Sequence, residues 1–156
     1  MVGPREGACI TGSATKVVRV NWVRVSGTAG TLVTLPVLLN KHTVANTGGT
    51  AATTTALPAP MKLDSTSAAA TATTTAYTAN PTTDSSATQL DAIVTSLNTT
   101  SALVNGTQAF FNFMNHPYIS APVLRGVAQQ LCVNLGGISV SSGLLAVSFG
   151  WTEAAQ

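Results

Sequence analysis

DSTSAAATATTTAYTANP, residues 64–81, holds one acid and one aromatic and is otherwise almost entirely Ala, Thr and Ser. Such a composition suits either a tether between two domains or a strand inside one. Thr71, Thr73, Thr75 and Tyr77 fall on one side of an extended chain, and Ala70, Ala72, Thr74, Ala76 and Thr78 on the other. Thr at alternate positions loses side-chain freedom in a helix, whereas Thr and Tyr suit a pleated, half-buried surface. Asn80–Pro81 closes the run as a turn. The stretch therefore reads as a strand over 69–79 and not as a linker.

The flanking sequence supports an all-β chain. In TKVVRVNWVRVS (15–26), Val18, Val20 and Trp22 share a face. Val23 and Val25 then take up the opposite phase, which predicts a bulge near Trp22. Val33, Leu35, Val37 and Leu39 alternate cleanly. Pro36 lacks a donor and predicts an edge or a local irregularity there. Residues 42–60 lack any period and read as a long loop. Leu90, Ile93, Val94 and Leu97 match a helical stripe, so a short helix near 86–97 is expected, capped by Asp84 or Ser85. A bulged strand is the alternative. Asn105–Gly106 is a turn signal, and Asn115–Pro117 breaks the aromatic run before it. Leu131, Val133 and Leu135 alternate ahead of a Gly136–Gly137 turn, and Leu145, Val147, Phe149 and Trp151 form the apolar face of a last strand. The expected fold is one antiparallel β-sandwich or jelly-roll-like barrel over 15–156, preceded by an N-terminal arm, 1–14.

Charge is the most unusual bulk property. Charged residues make up 8% of the 156, against about 25% in an ordinary domain, and the net charge is +2. Hydrophobic content is ordinary at 45%, which argues against disorder. A surface built from Thr, Ser and Asn is economical where much of it is covered by copies or by a partner. Lys16, Arg19 and Arg24 are the only clustered basic residues and read as the solvated side of a strand, so no nucleic-acid role is expected. No run approaches the ~20 apolar residues that span a bilayer, and the first residues lack an apolar signal core. A soluble protein made in the cytoplasm, without a membrane partner, is expected. Cys9 and Cys132 show no CxxC spacing and read as two free thiols, buried or partly buried; the sequons at Asn98 and Asn105 carry little weight without export.

Catalytic signals are sparse. Glu6, Asp64, Asp84, Asp91 and Glu153 form no pairing motif, and His42 and His116 have no ligand partner at metal-site spacing. Neither Asn46–Thr50 (NTGGT) nor Asn134–Gly137 (NLGG) opens a helix that could cradle phosphate. Phe110, Phe111 and Phe113 read as core before ligand platform. No enzymatic activity, cofactor or metal is expected.

Three blocks carry a resemblance to a known family. TGSATKVVRVNWVRVSGTAG (11–30), KHTVANTGGT through AYTANPT (41–82), and PVLRGVAQQLCVNLGG with GLLAVSFGWTE (122–137 and 143–153) resemble small bacteriophage virion structural proteins. Residues 84–120 depart most from it. The resemblance implies a head decoration (cement) protein, β-rich and homotrimeric, placed on the virion surface and bound to the major capsid protein. Candidate capsid or oligomer contacts are Arg5, Lys41, His42, Asn46, Lys62, Tyr77 and Asn80, drawn from the arm, the 42–62 loop and the opening stretch. The alternative is a tail- or fibre-associated protein that binds host-surface carbohydrate through Tyr77, Phe110, Phe111, Phe113 or Tyr118.

Overall fold

The computed structural model describes residues 6–52, 60–83, 87–99, 107–114, 120–140 and 142–155. Among them are ten strands and no helix. In chain order these are β1 (Glu6–Thr11), β2 (Lys16–Thr28), β3 (Val33–His42), β4 (Thr50–Ala51) and β5 (Thr73–Ala79). They continue with β6 (Thr88–Leu97), β7 (Ala109–Asn112), β8 (Val123–Arg125), β9 (Gln130–Asn134) and β10 (Leu144–Ala155). One sheet has the order β4-β5-β1-β9-β3-β6. The other has the order β10-β2-β7, with β8 also on β2. The ladders are antiparallel, and neither sheet closes into a barrel. A single core joins the inner faces: Ile10, Leu35, Val37, Leu39, Leu131 and Val133 from the first sheet meet Val18, Val20, Val23, Val25 and Phe111 from the second. The arrangement is sandwich-like, and the barrel alternative falls because both sheets end in open strands.

The opening stretch divides into three parts. Asp64 builds a turn, accepting from the backbone and hydroxyl of Thr66. Those bonds hold its carboxyl below the usual carboxylate value. Thr71 and Ala72 do not enter the strand, because their backbone N–H groups donate to the Glu153 carboxylate instead. The strand then runs from Thr73 and pairs with β1 through Ala8–Ala76 and Thr11–Thr73. It starts four residues later than the alternation suggested, since Glu153 captures the backbone that would have extended it.

The bulge expected near Trp22 is present. Gly150 pairs with Trp22 and Trp151 with Val20, so Asn21 is the extra residue. The slip lets Val18 and Val20 before it, and Val23 and Val25 after it, all face the core. Trp22 is left on the outer face, tilted 50° against Phe110 with ring centroids 6.3 Å apart. A Cβ on Gly150 would collide with the Trp22 indole. Gly150→Ala is therefore expected to cost about 1–2 kcal/mol and to shift Trp22 fluorescence, as overpacking displaces the ring. An unchanged denaturation midpoint and emission would refute this.

Two expectations need correction, and the one made for Pro36 holds. Residues 88–97 form a strand, not a helix. The extra residue is Leu90, since Leu39 pairs with Asp91 and Asn40 with Gln89. The apolar stripe misleads because Thr95 takes an inward position, 3% exposed, and bonds the carbonyl and hydroxyl of Thr107, while Val94 points out and is 70% exposed. The proposed cap residues Asp84 and Ser85 lie outside the described residues, as do Asn105–Gly106, His116 and Tyr118. The 1–14 segment is no arm beyond Glu6: β1 is an interior strand, with Cys9 and Ile10 fully buried between β5 and β9. Residues 1–5, including Arg5, lie outside the described residues. Pro36 sits inside the first sheet, but β9 ends opposite Leu38, so no β9 residue faces it. The ring of Pro36 packs on the bare Cα of Gly136, whose φ of +62° also favours glycine.

Candidate functional site: a buried polar cluster around a disulfide

The outer face of the first sheet carries most of the unusual chemistry. In β9, Leu131 and Val133 face the core, so Gln130 and Cys132 face outward. Cys9 stands directly opposite Cys132 on β1, and His42 directly opposite Gln130 on β3. Alternation alone would put Glu6 and Cys9 on opposite faces. The ladder slips between Glu6 and Ala8, which makes Gly7 the extra residue and turns Glu6 to the side of Cys9. Tyr77 of β5 covers the pair, and residues 43–49 fold over the whole set, with Asn46 reaching in.

Cys9 and Cys132 are bonded to each other, with Cα atoms 4.1 Å apart at a sequence separation of 123. The expectation of free thiols is thus wrong. Register brings them together, and a separation of that length leaves no local spacing to read. Both are fully buried.

Beside the disulfide lies an acid with no Lys or Arg partner among the described residues. Glu6 is 1% exposed, and His42 Nε2 donates to its Oε1 at 2.6 Å. Asn46 Nδ2 donates to Glu6 Oε2 and lies 3.6 Å from both sulfurs. Glu6 Oε2 is itself 3.9 Å from Cys9 Sγ. The Asn46 backbone N–H donates to Gln130 Oε1, and Gln130 Nε2 donates to Thr11. His42 Nδ1 and Asn46 Oδ1 are buried with no hydrogen-bond partner among the described residues. Burial raises the Tyr77 hydroxyl above its usual pKa, and the nearby Glu6 charge adds to that rise.

Three of the seven residues proposed as contacts meet here. His42 is fully buried within the chain and Tyr77 is 8% exposed, so their side chains offer a neighbour little surface. Asn46 is half-buried and turned inward. Lys62 is exposed and donates to the carbonyls of Ser65 and Ser67 in its own turn; Asn80 is exposed. Lys41 is half-buried and lines a shallow depression of about 220 Å³ with Asp91, Phe113 and Pro122. A second depression, beside Lys62 and Pro60, holds about 190 Å³. Both are smaller than the roughly 300 Å³ at which small-molecule pockets begin. Among the proposed platform aromatics, Phe111 and Phe113 are core and Phe110 is exposed.

No family model, curated protein or solved structure matches this chain. The arrangement must speak for itself. Reading the residues one by one missed Glu6, Cys9, Cys132 and Gln130. The one local signal was Gly7 in EGACIT, a glycine inside a strand, which often marks a bulge.

Proposed function

We propose that the chain is a structural component of a phage particle, acting as a homotrimer that decorates and stabilises the shell built by the major capsid protein. The sequence likeness over 11–30, 41–82, 122–137 and 143–153 suggests the setting. The observation that carries the assembly reading is the pair of long open edges. Among the described residues, β6, ten residues, has no ladder besides that with β3, its outer edge meeting only the Thr107 hydroxyl at Ser96, and β10, twelve residues, has none besides that with β2. Each contains one acid and no Lys or Pro. Monomeric sheets blunt such edges with charge, proline or short length. Exposed apolar side chains sit on them: Leu90 and Val94 on β6, and Leu144 on β10. A shell protein that binds only the assembled lattice stabilises it by mass action, and symmetry multiplies weak contacts.

Light scattering of the purified chain is expected to report a trimer. Val94→Lys, at an exposed position that leaves the core alone, is expected to shift it to monomer without loss of β-sheet circular dichroism. A wild-type monomer at micromolar concentration, together with heads equally heat-stable with and without the protein, would sink the reading. A second reading, a tail-associated carbohydrate binder, draws on the Trp22–Phe110 pair and its cross-strand neighbour Arg24, all on one outer face. Its test is binding to a glycan array that is lost in Trp22→Ala.

A further inference from the structure

We infer that the reduced chain holds a divalent, thiophilic metal ion such as Zn²⁺ through Cys9 Sγ, Cys132 Sγ, Glu6 and His42 Nε2. The donor set is already gathered. One ligand atom from each of Glu6, Cys9 and Cys132 lies within 4.8 Å of the others, all three buried. His42 Nε2 reaches the same carboxylate at 2.6 Å. In a tetrahedral site with bonds of about 2.0 Å to N and O and 2.3 Å to S, neighbouring donors stand roughly 3.3–3.8 Å apart. The Glu6–Cys9 separation of 3.9 Å is already near that span. The His42–Glu6 pair must open by less than about 1 Å, and the two sulfurs separate once their bond is cut.

The position a metal would take is filled by an amide. Asn46 Nδ2 is the common neighbour of Glu6 Oε2, Cys9 Sγ and Cys132 Sγ. An NH₂ group there presents partial positive charge to three acceptors, as a cation would in full. It does so imperfectly, because Asn46 Oδ1 and His42 Nδ1 stay buried without partners among the described residues. Two thiolates, one carboxylate and one imidazole form a soft, mixed set that suits zinc and excludes calcium or magnesium, which take oxygen ligands.

The chemistry balances simply. A phosphine reduces the disulfide by two electrons: its phosphorus takes the oxygen of water, and the two hydrogens end on the sulfurs. Metal binding then releases both thiol protons to the buffer, the His42 ring proton passes from Nε2 to Nδ1, and two bonds to the ion replace the His42–Glu6 hydrogen bond. The side chain of Asn46 swings out with the 43–49 loop. The chain thereby has two cross-linked forms, one closed by S–S and one by metal.

Co²⁺ is the probe. The full chain, purified without oxygen and reduced with a phosphine, is titrated with Co²⁺ and followed by absorbance and far-UV circular dichroism. The expected result is one equivalent bound to a folded chain, with a thiolate-to-cobalt charge-transfer band that Zn²⁺ bleaches and that the oxidised chain never shows. His42→Gln is expected to weaken binding at least about tenfold. Asn46→Ala, which removes the competing amide, is expected to bind more tightly than the wild type. A reduced wild-type chain that stays folded without a charge-transfer band would overturn the inference. So would a reduced chain that stays unfolded with Co²⁺ present, or a band that survives in Cys9→Ser with Cys132→Ser.

Discussion

Replacing both cysteines by alanine, Cys9→Ala with Cys132→Ala, is expected to lower the unfolding free energy by about 5 kcal/mol. The cross-link spans 123 residues, and the loss of loop-closure entropy in the unfolded chain grows with the logarithm of that length. Alanine is the right replacement because both positions are fully buried, and serine would add a hydroxyl needing a partner. Since a domain of this size holds only about 5–15 kcal/mol in total, the double variant should sit near the edge of folding. Urea unfolding of the oxidised wild type and of the variant, at matched slope, gives the difference. A value below about 1 kcal/mol would mean that the unfolded chain gains little freedom when the bond is absent.

Acid should weaken the protein through Glu153, and Glu153→Gln should remove that sensitivity. Burial raises this carboxyl, but donors outweigh it: the Ala72 backbone, the Thr71 hydroxyl, the Trp151 indole and the Thr71 backbone together bring it down to about 2 from an ordinary 4.5. Lys16 Nζ also pairs with its Oε2 at 3.2 Å. The folded pKa is below the unfolded one, so the folded chain binds fewer protons in that range. The contribution is complete above about pH 4.5 and fades as pH falls through 4.5 towards 2. A full conversion gives about 3 kcal/mol; water reaches 9% of the side chain and screens part of it, which leaves between about 2 and 3. Glu153→Gln should thus be less stable than wild type at pH 7 by that amount, with the gap closing near pH 2.5. A gap that stays constant with pH would show that shape, and not charge, makes the difference.

Glu153 also explains why the Ala/Thr stretch resisted a simple reading. The beat of Thr73, Thr75 and Tyr77 was legible because those residues share one side of a strand. Thr71 and Ala72, just before it, continue the same beat yet serve a carboxylate far along the chain. The phase slip at Trp22 and the alternations at 33–39 and 145–151 were legible for the same reason: one face of each strand is buried and the pattern records it. Strand β6 was not, because a buried Thr95 and an exposed Val94 reverse the expected polarity. β1 was not, because Glu6 and Gly7 belong to a bulge and Ala8 is small. The site residues His42, Asn46 and Tyr77 drew notice as surface groups, while the acid and the disulfide that enclose them depend on pairings 36 and 123 residues long. Long-range register of that kind has no trace in local periodicity.

The placement of β9 sets a schedule for the ribosome. This five-residue strand lies between β1 and β3, both of which emerge far earlier. Until Gln130–Asn134 leaves the exit tunnel, β1 and β3 each keep one side open, and β2 waits still longer for Leu144–Ala155. The inner faces that carry Ile10, Val37 and Leu39 therefore stay unfinished until β9 and β10 have emerged, and cooperative closure waits for both strands. Slower elongation between β3 and β10 would lengthen that exposed interval and should raise the fraction lost to aggregation.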